Sequence, residues 1–236
     1  MRFKEQQNGR QSERKTGKHR CLKAVTVCLL VLAIAVPAAI CLIRHVVRAE
    51  KGGTSAVTVR TPYLSGQGVV YEKMEKGICI LTAEHVLSGL ENGENCTVGF
   101  TDGSTAQASV LYRSDTADVA FLYVEKEDVP KGVRKVKTDK KAFDALAEGD
   151  VLCAEDLNGT QTEQIQGNVL SPWIWLEDFA LNMMLAKMPC RNGMSGCGIY
   201  DAKGNFVGIL CGSSAEGEVA VLPLSVIESE WIMAEP

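Results

Sequence analysis

The chain has 236 residues, 46% of them hydrophobic but only 6% aromatic, with 22 glycines and a formal net charge of −4. That length allows one membrane segment plus one domain with a sizeable core, and the glycine-rich, aromatic-poor composition fits an all-β protein with many turns better than a helical bundle. The charge is unevenly divided: residues 1–23 carry eight Lys/Arg against two Asp/Glu, a net +6, which leaves −10 on the other 213 and makes that bulk a poor nucleic-acid binder.

In chain order, residues 1–23 are polar and lack apolar periodicity, the pattern of a disordered tail. Ala24 to Ile43 is then a run of twenty uncharged residues, eleven of them Leu, Ile or Val. It is long enough to span a bilayer, and central Pro37 is tolerable there. The basic flank Arg14, Lys15, Lys18, Arg20 and Lys23 predicts a cytoplasmic N-terminus, a single-pass anchor in the cell membrane and an extracytoplasmic C-terminal bulk. Val47-Arg48-Ala49 would serve the competing expectation, a cleaved signal peptide, but the apolar core of a signal is about 7–15 residues. Residues 44–54 form a short linker.

From residue 55 onward the pattern changes to short strands separated by turn residues. Strand-like runs cover Ala56 to Arg60, Gly68 to Glu72, Ile78 to Thr82, Cys96 to Phe100, Ala106 to Tyr112 and Val119 to Val124, with Thr101-Asp102-Gly103 as a hairpin signal. Residues 55–127 therefore predict a small barrel or sandwich, and the lysine-rich residues 128–141 a solvated connector. Seven further runs follow in residues 142–236: Val151 to Ala154, Thr162 to Leu170, Trp173 to Leu176, Asn182 to Met188, Gly198 to Tyr200, Phe206 to Leu210 and Val219 to Leu222. The architecture is two β-rich halves. Ser225 and Glu228 have the capping-box spacing, so a short closing helix is expected with Val226, Ile227 and Trp231 toward the core.

Nine cysteines divide as Cys21, Cys28 and Cys41 in or beside the anchor and Cys79, Cys96, Cys153, Cys190, Cys197 and Cys211 beyond it. Six thiols outside the membrane allow up to three disulfides. Cys79 and Cys211, inside apolar runs, are equally at home as buried free thiols. No CxxC or Cys/His spacing occurs, so no metal and no cofactor is expected.

Chemistry concentrates in Asn192-Gly193-Met194-Ser195-Gly196-Cys197-Gly198, a serine between glycines that permit tight turns and close substrate approach to the main chain. An alcohol is a poor nucleophile at neutral pH and needs a base oriented by a carboxylate. His19 lies in the tail and His45 abuts the membrane, which leaves His85, directly after an apolar strand, as the one imidazole available. Asp115 and Asp118, both ahead of the run Val119 to Val124, are each eligible carboxylates.

Together these residues resemble the chymotrypsin-fold serine peptidases, in particular the HtrA/DegP-like trypsin-like branch. Gly66-Gln67-Gly68-Val69-Val70 is similar to the entry strand of that family, and Ile80-Leu81-Thr82-Ala83-Glu84-His85-Val86 to its histidine stretch. Phe100-Thr101-Asp102-Gly103 resembles its hairpin, Ser114 to Ala120 its aspartate stretch with one residue fewer, Glu148-Gly149-Asp150-Val151-Leu152 the opening of its second barrel, and Gly193-Met194-Ser195-Gly196 its serine loop. The resemblance implies an all-β two-barrel peptidase domain, with Ser195 as nucleophile, His85 as general base and acid and Asp118 as orienting carboxylate. The amides of Gly193 and Ser195 would form the oxyanion hole, and an extended polypeptide substrate would pair near Gly212, Ser213 and Ser214.

Departures from the family pattern are also plain. Met194 stands where an Asn or Asp is usual, which removes activation by pairing with a new N-terminus. Cys197 replaces a glycine, leaving it to crowd the loop or bridge to Cys190 or Cys211. No PDZ-like domain follows before Pro236. Pro189 stands where an acidic residue would receive Lys or Arg, predicting a small or apolar side chain before the scissile bond. Met194 and Cys197 also support a second expectation, a catalytically impaired pseudopeptidase that binds or senses peptides.

Overall fold

The computed structural model describes residues 54–234 except Asn92; the tail, the apolar run and most of the linker lie outside the described residues. Among the described residues, twelve strands form two closed barrels. The first contains β1 (Ala56–Arg60), β2 (Ser65–Lys73), β3 (Gly77–Thr82), β4 (Cys96–Gly99), β5 (Thr105–Arg113) and β6 (Ala120–Glu125), in the order β1-β2-β3-β6-β5-β4. The second contains β7 (Val151–Asn158), β8 (Gln161–Leu176), β9 (Leu181–Lys187), β10 (Gly198–Asp201), β11 (Phe206–Ser213) and β12 (Glu218–Pro223). Its order, β7-β8-β9-β12-β11-β10, repeats the first, so the all-β, two-barrel chymotrypsin-like expectation holds. Closure leaves neither sheet with a long open edge.

Local pattern accounts for most of these strands. In β5, Ala106 and Ala108 are buried while Thr105, Gln107 and Ser109 are exposed, the period-2 signature of a half-buried strand. By contrast β3 is buried at all six positions, which explains its unbroken apolar reading. The Asp102-Gly103 turn joins β4 to β5, with Gly103 N–H donating to Phe100 C=O at 3.1 Å and Ser104 N–H to Asp102 Oδ1 at 2.9 Å.

One expected break is absent. The runs ending at Leu170 and beginning at Trp173 are a single sixteen-residue strand, β8. Its register against β9 shifts between Val169 and Ser171 and again between Ser171 and Ile174. Pro172 lacks the N–H a ladder needs, and the irregularity carries it through without ending the strand.

The connector is also more ordered than a solvated link. Val136 is buried, its amide donates to Val70 C=O at 2.9 Å, and Phe206 N–H donates to Lys137 C=O at 2.7 Å, so the segment ties β2 to β11. It ends in α1 (Lys140–Asp144), capped by Asp139, whose side chain accepts from the Ala142 amide. The closing helix, α2 (Leu224–Ala234), begins one residue before Ser225, so the capping-box assignment is wrong. The Ser225 hydroxyl is buried without a partner. The expected apolar face is there: Ile227 is buried, and Val226 and Trp231 pack partly buried on the core.

Two apolar clusters result. One fills barrel one and continues into the seam through Met183, Tyr200, Phe206, Ile209 and Leu222; the other fills barrel two. Cys79, Cys96, Cys190, Cys197 and Cys211 are all free thiols, so no bridge joins any two of the six cysteines beyond the apolar run. Cys79, Cys96, Cys197 and Cys211 are buried in apolar cores, where a thiol behaves as a small hydrophobe. Among the described residues no helix is long and apolar enough to cross a membrane.

Candidate active site

The site is built along the seam, from loops leaving the strand ends. After β3 the chain makes a 3-10 turn, Glu84–Leu87, whose Val86 and Leu87 are buried and so fix the turn to barrel one. His85, in the same turn, keeps 43% of its side chain exposed. Arg113 at the end of β5 braces this turn: its guanidinium pairs with Glu84 through Nε at 2.8 Å and through Nη2, and Nη1 reaches Leu90 C=O at 3.2 Å.

Asp118 sits on the tight turn between β5 and β6. Ser114 N–H donates to Val119 C=O at 3.0 Å, and the Ser114 hydroxyl accepts from the amides of Thr116 and Ala117. The turn aims the carboxylate at His85. Oδ1 accepts the His85 main-chain N–H at 2.9 Å and Oδ2 meets Nδ1 of the ring at 2.8 Å. A carboxylate only accepts, so the Nδ1 proton is fixed in place and Nε2 is left as the basic nitrogen. Asp115 is exposed on the same turn and makes no such contact, whereas Asp118, the carboxylate the family resemblance implies, does.

Electrostatics match this geometry. The hydrogen bond to Asp118 raises the His85 pKa above 6.5, against the opposing effect of partial burial. Burial pushes Asp118 upward, but the two hydrogen bonds from His85 and its charge outweigh that and hold the carboxyl below its ordinary value.

The serine loop leaves β9 and returns into β10. Gly193 and Gly196 have φ of +87° and +86°, conformations that side chains resist, and a Cβ at 196 would collide with Gln67 C=O. Main-chain bonds fasten the loop to both barrels: Gln67 N–H donates to Ser195 C=O at 2.7 Å and Gly196 N–H to Leu210 C=O at 2.7 Å. Gly66 measures the approach of serine and histidine loops, since a Cβ there would lie 2.6 Å from Val86 Cγ2 and 2.9 Å from Ser195 C=O. On the far side the Cys211 thiol, next to Leu210, points at Asp118 C=O at 3.6 Å. The loops carrying positions 118 and 195 thus meet at one stretch of β11, and Asp118 in turn holds His85.

Among the described residues, neither the Ser195 hydroxyl nor the amides of Gly193 and Ser195 hydrogen-bond within the protein. Nucleophile–base bonds are commonly long without substrate. Met194 and Cys197 do not crowd the loop; both side chains are buried in the barrel-two core.

Gly212 and Ser213 end β11, and Ser214 N–H closes the turn to β12 on Glu218 C=O at 2.8 Å. β10 pairs with β11 only as far as Ile209, so beyond Leu210 the other edge of β11 has no strand beside it. Phe179 overlies Gly212, 3.1 Å from where a Cβ would stand. Among the described residues no group of three or more His, Cys, Asp or Glu is arranged to hold a metal ion.

Sequence reasoning passed over Arg113, Asp156 and Arg191, and read Gln67 only as part of a strand motif. Their partners are remote in sequence. The local signal was polar residues at buried strand positions, Gln67 in β2 and Asp156 in β7, where burial demands a partner.

Comparison with known proteins agrees with the fold. Residues 66–209 match the family described as Trypsin-like peptidase domain. The fold is similar to the crystal structure of a serine-to-alanine mutant of Rv3671c from M. tuberculosis H37Rv in its inactive form, at 17% identity and a TM-score of 0.60, covering 77% of this chain and 88% of that one. No curated protein matches.

Proposed function

The chain belongs to the trypsin-like peptidase domain family, and from that premise we propose that it is a serine endopeptidase of the HtrA/DegP-like type, anchored in the cell membrane by residues 24–43 with its peptidase domain outside the cytoplasm. Ser195 is the nucleophile, His85 the general base and acid, and Asp118 the orienting carboxylate. The observation that carries this is the double grip of Asp118 on His85, which leaves Nε2 as the basic nitrogen of the ring.

In the reaction, Nε2 takes the proton of the Ser195 hydroxyl as its oxygen attacks the scissile carbonyl. The amides of Gly193 and Ser195 receive the oxyanion, and the imidazolium, stabilised by Asp118, returns the proton to the departing amine. Water then repeats the sequence on the acyl-enzyme. These steps need no metal or cofactor. The substrate is an unfolded or extended polypeptide segment that adds as a strand beside the end of β11, near Gly212, Ser213 and Ser214. Pro189, in place of an acid, favours a small or apolar side chain before the scissile bond; efficient cleavage after arginine would overturn that preference.

The test is labelling of the purified full-length chain with a fluorophosphonate. Labelling lost in Ser195→Ala and weakened in His85→Ala is expected, with turnover reduced by roughly 10⁴ to 10⁶. A folded wild-type chain that does not label would instead point to the peptide-binding pseudopeptidase.

A further inference from the structure

Oxyanion-binding amides need direction as well as position. In a trans peptide the C=O of one residue and the N–H of the next point opposite ways. Whatever holds the Met194 carbonyl therefore aims the Ser195 N–H, and whatever holds the Asn192 carbonyl aims the Gly193 N–H. The first is held locally, by the Cys197 amide at 2.9 Å. The second is held by a side chain: Arg191 Nη1 donates to Asn192 C=O at 3.0 Å.

That guanidinium is itself fixed from beneath. Its Nε donates to Asp156 Oδ2 at 2.8 Å and its Nη2 to Oδ1 at 2.7 Å, a bidentate pair in which the carboxylate is 1% exposed and the arginine 43%. Asp156 stands on β7. Gln67 on β2 completes the support: its Nε2 donates to Asp156 Oδ1 at 2.6 Å and to Gly193 C=O at 3.2 Å, while its Oε1 accepts the Leu157 amide at 2.8 Å. A buried carboxylate must keep its charged partner, because losing the partner leaves an uncompensated charge in a dry site. The arginine is thus tied to one place, and the Asn192–Gly193 peptide is tied to the arginine.

We propose that Arg191 and Asp156 are positioning residues of the oxyanion hole, an internal charge pair that holds the Asn192–Gly193 peptide with its N–H toward the substrate. The proposal rests on the peptidase assignment of this site. It makes the loop competent as soon as the chain folds: the anchor lies on β7, and no new N-terminus has to be released to supply it.

Arg191→Ala and Arg191→Lys in the full-length chain test it, with Asp156→Asn as a third variant. Turnover is counted per site titrated to completion by fluorophosphonate, so misfolded protein drops out. In Arg191→Ala, kcat should fall on the order of 10²-fold, the scale of losing one oxyanion donor, with KM nearly unchanged. A peptide aldehyde, which places an oxyanion in the hole, should lose affinity in parallel, and guanidinium ion in the medium should restore part of both. Lysine, a point charge without the planar fork, should not substitute. The acid limb of the pH profile, set by His85, should not move.

Two results are kept apart. Wild type that labels, with Arg191→Ala turning over normally per titrated site, overturns the positioning role and leaves the peptidase assignment standing. If wild type fails to label, the peptidase assignment falls, and the Gly193 amide followed by 15N NMR then decides the loop role. An amide that shifts or broadens in Arg191→Ala supports it, and one that is unchanged refutes it.

Discussion

At the scale of single residues, His85 and Asp118 are coupled, and the signs of their shifts make a pH prediction. His85 is raised above 6.5, so catalysis, which needs the neutral ring, should rise with an acid-limb midpoint above that of an ordinary histidine. In Asp118→Asn that midpoint should move down and kcat should fall on the order of 10⁴-fold, read from kcat/KM profiles. Folding stability runs the other way. The raised histidine contributes fully below 6.5 and loses its contribution as pH climbs through its folded value, while the lowered aspartate contributes above 3.8 and loses it as pH falls through its own. Denaturant midpoints of wild type minus Asp118→Asn should therefore be largest between about pH 4 and 6.5 and shrink on either side. A flat difference would disprove the coupling. None of this followed from residue type alone, which left Asp115 and Asp118 equivalent; the turn built on the Ser114 hydroxyl separates them.

At the scale of elements, the serine loop is held by what it buries. Met194 is fully buried among Leu152, Ala154 and Met184, and its sulfur accepts the Arg191 amide at 3.3 Å. An acidic residue at this position would have no comparable place in that core. Met194→Ala should cost about 2–5 kcal/mol in chemical denaturation, through lost transfer energy plus the cavity, and should slow turnover by loosening Arg191. An unchanged denaturation midpoint would mean the loop is not anchored by that side chain. The strands were legible because alternation in β5 and an unbroken apolar run in β3 are local patterns. The exception, β8, misled for an equally local reason: Pro172 reads as a terminator, and only its place at an irregularity between β8 and β9 lets the strand continue.

For the whole molecule, the C-terminal helix links what the connector separates. α2 follows barrel two, yet its Trp231 packs against Tyr71 and Phe121 of barrel one, with ring centroids 5.6 and 5.0 Å away, and Glu230 accepts from the Tyr112 hydroxyl at 2.8 Å. Tyr200 adds a second link, its hydroxyl lying 2.8 Å from that of Ser55. Trp231→Ala should lower stability by about 2–3 kcal/mol, less than the ~3–5 of a fully enclosed ring because part of the indole faces solvent. It should also reduce activity, since the two barrels carry different parts of the site. A loss confined to stability would mean that the barrels hold their relation without the helix.

The sequence by itself determined the two β-rich halves, most of their strands, the Asp102-Gly103 hairpin and the turn glycines of the serine loop. Each of these depends on side-chain alternation or backbone freedom within a few residues. The family resemblance chose Asp118 over Asp115; only the tertiary structure decided that Asp118 grips His85 through both oxygens, that the cysteines beyond the apolar run do not bridge one another, and that Arg191, Asp156 and Gln67 meet beneath the serine loop. Those contacts join residues 33 to 126 positions apart. They are fixed by the register in which the barrels close and by the refusal of a buried charge to remain unpaired, and neither is written in any short stretch of the chain.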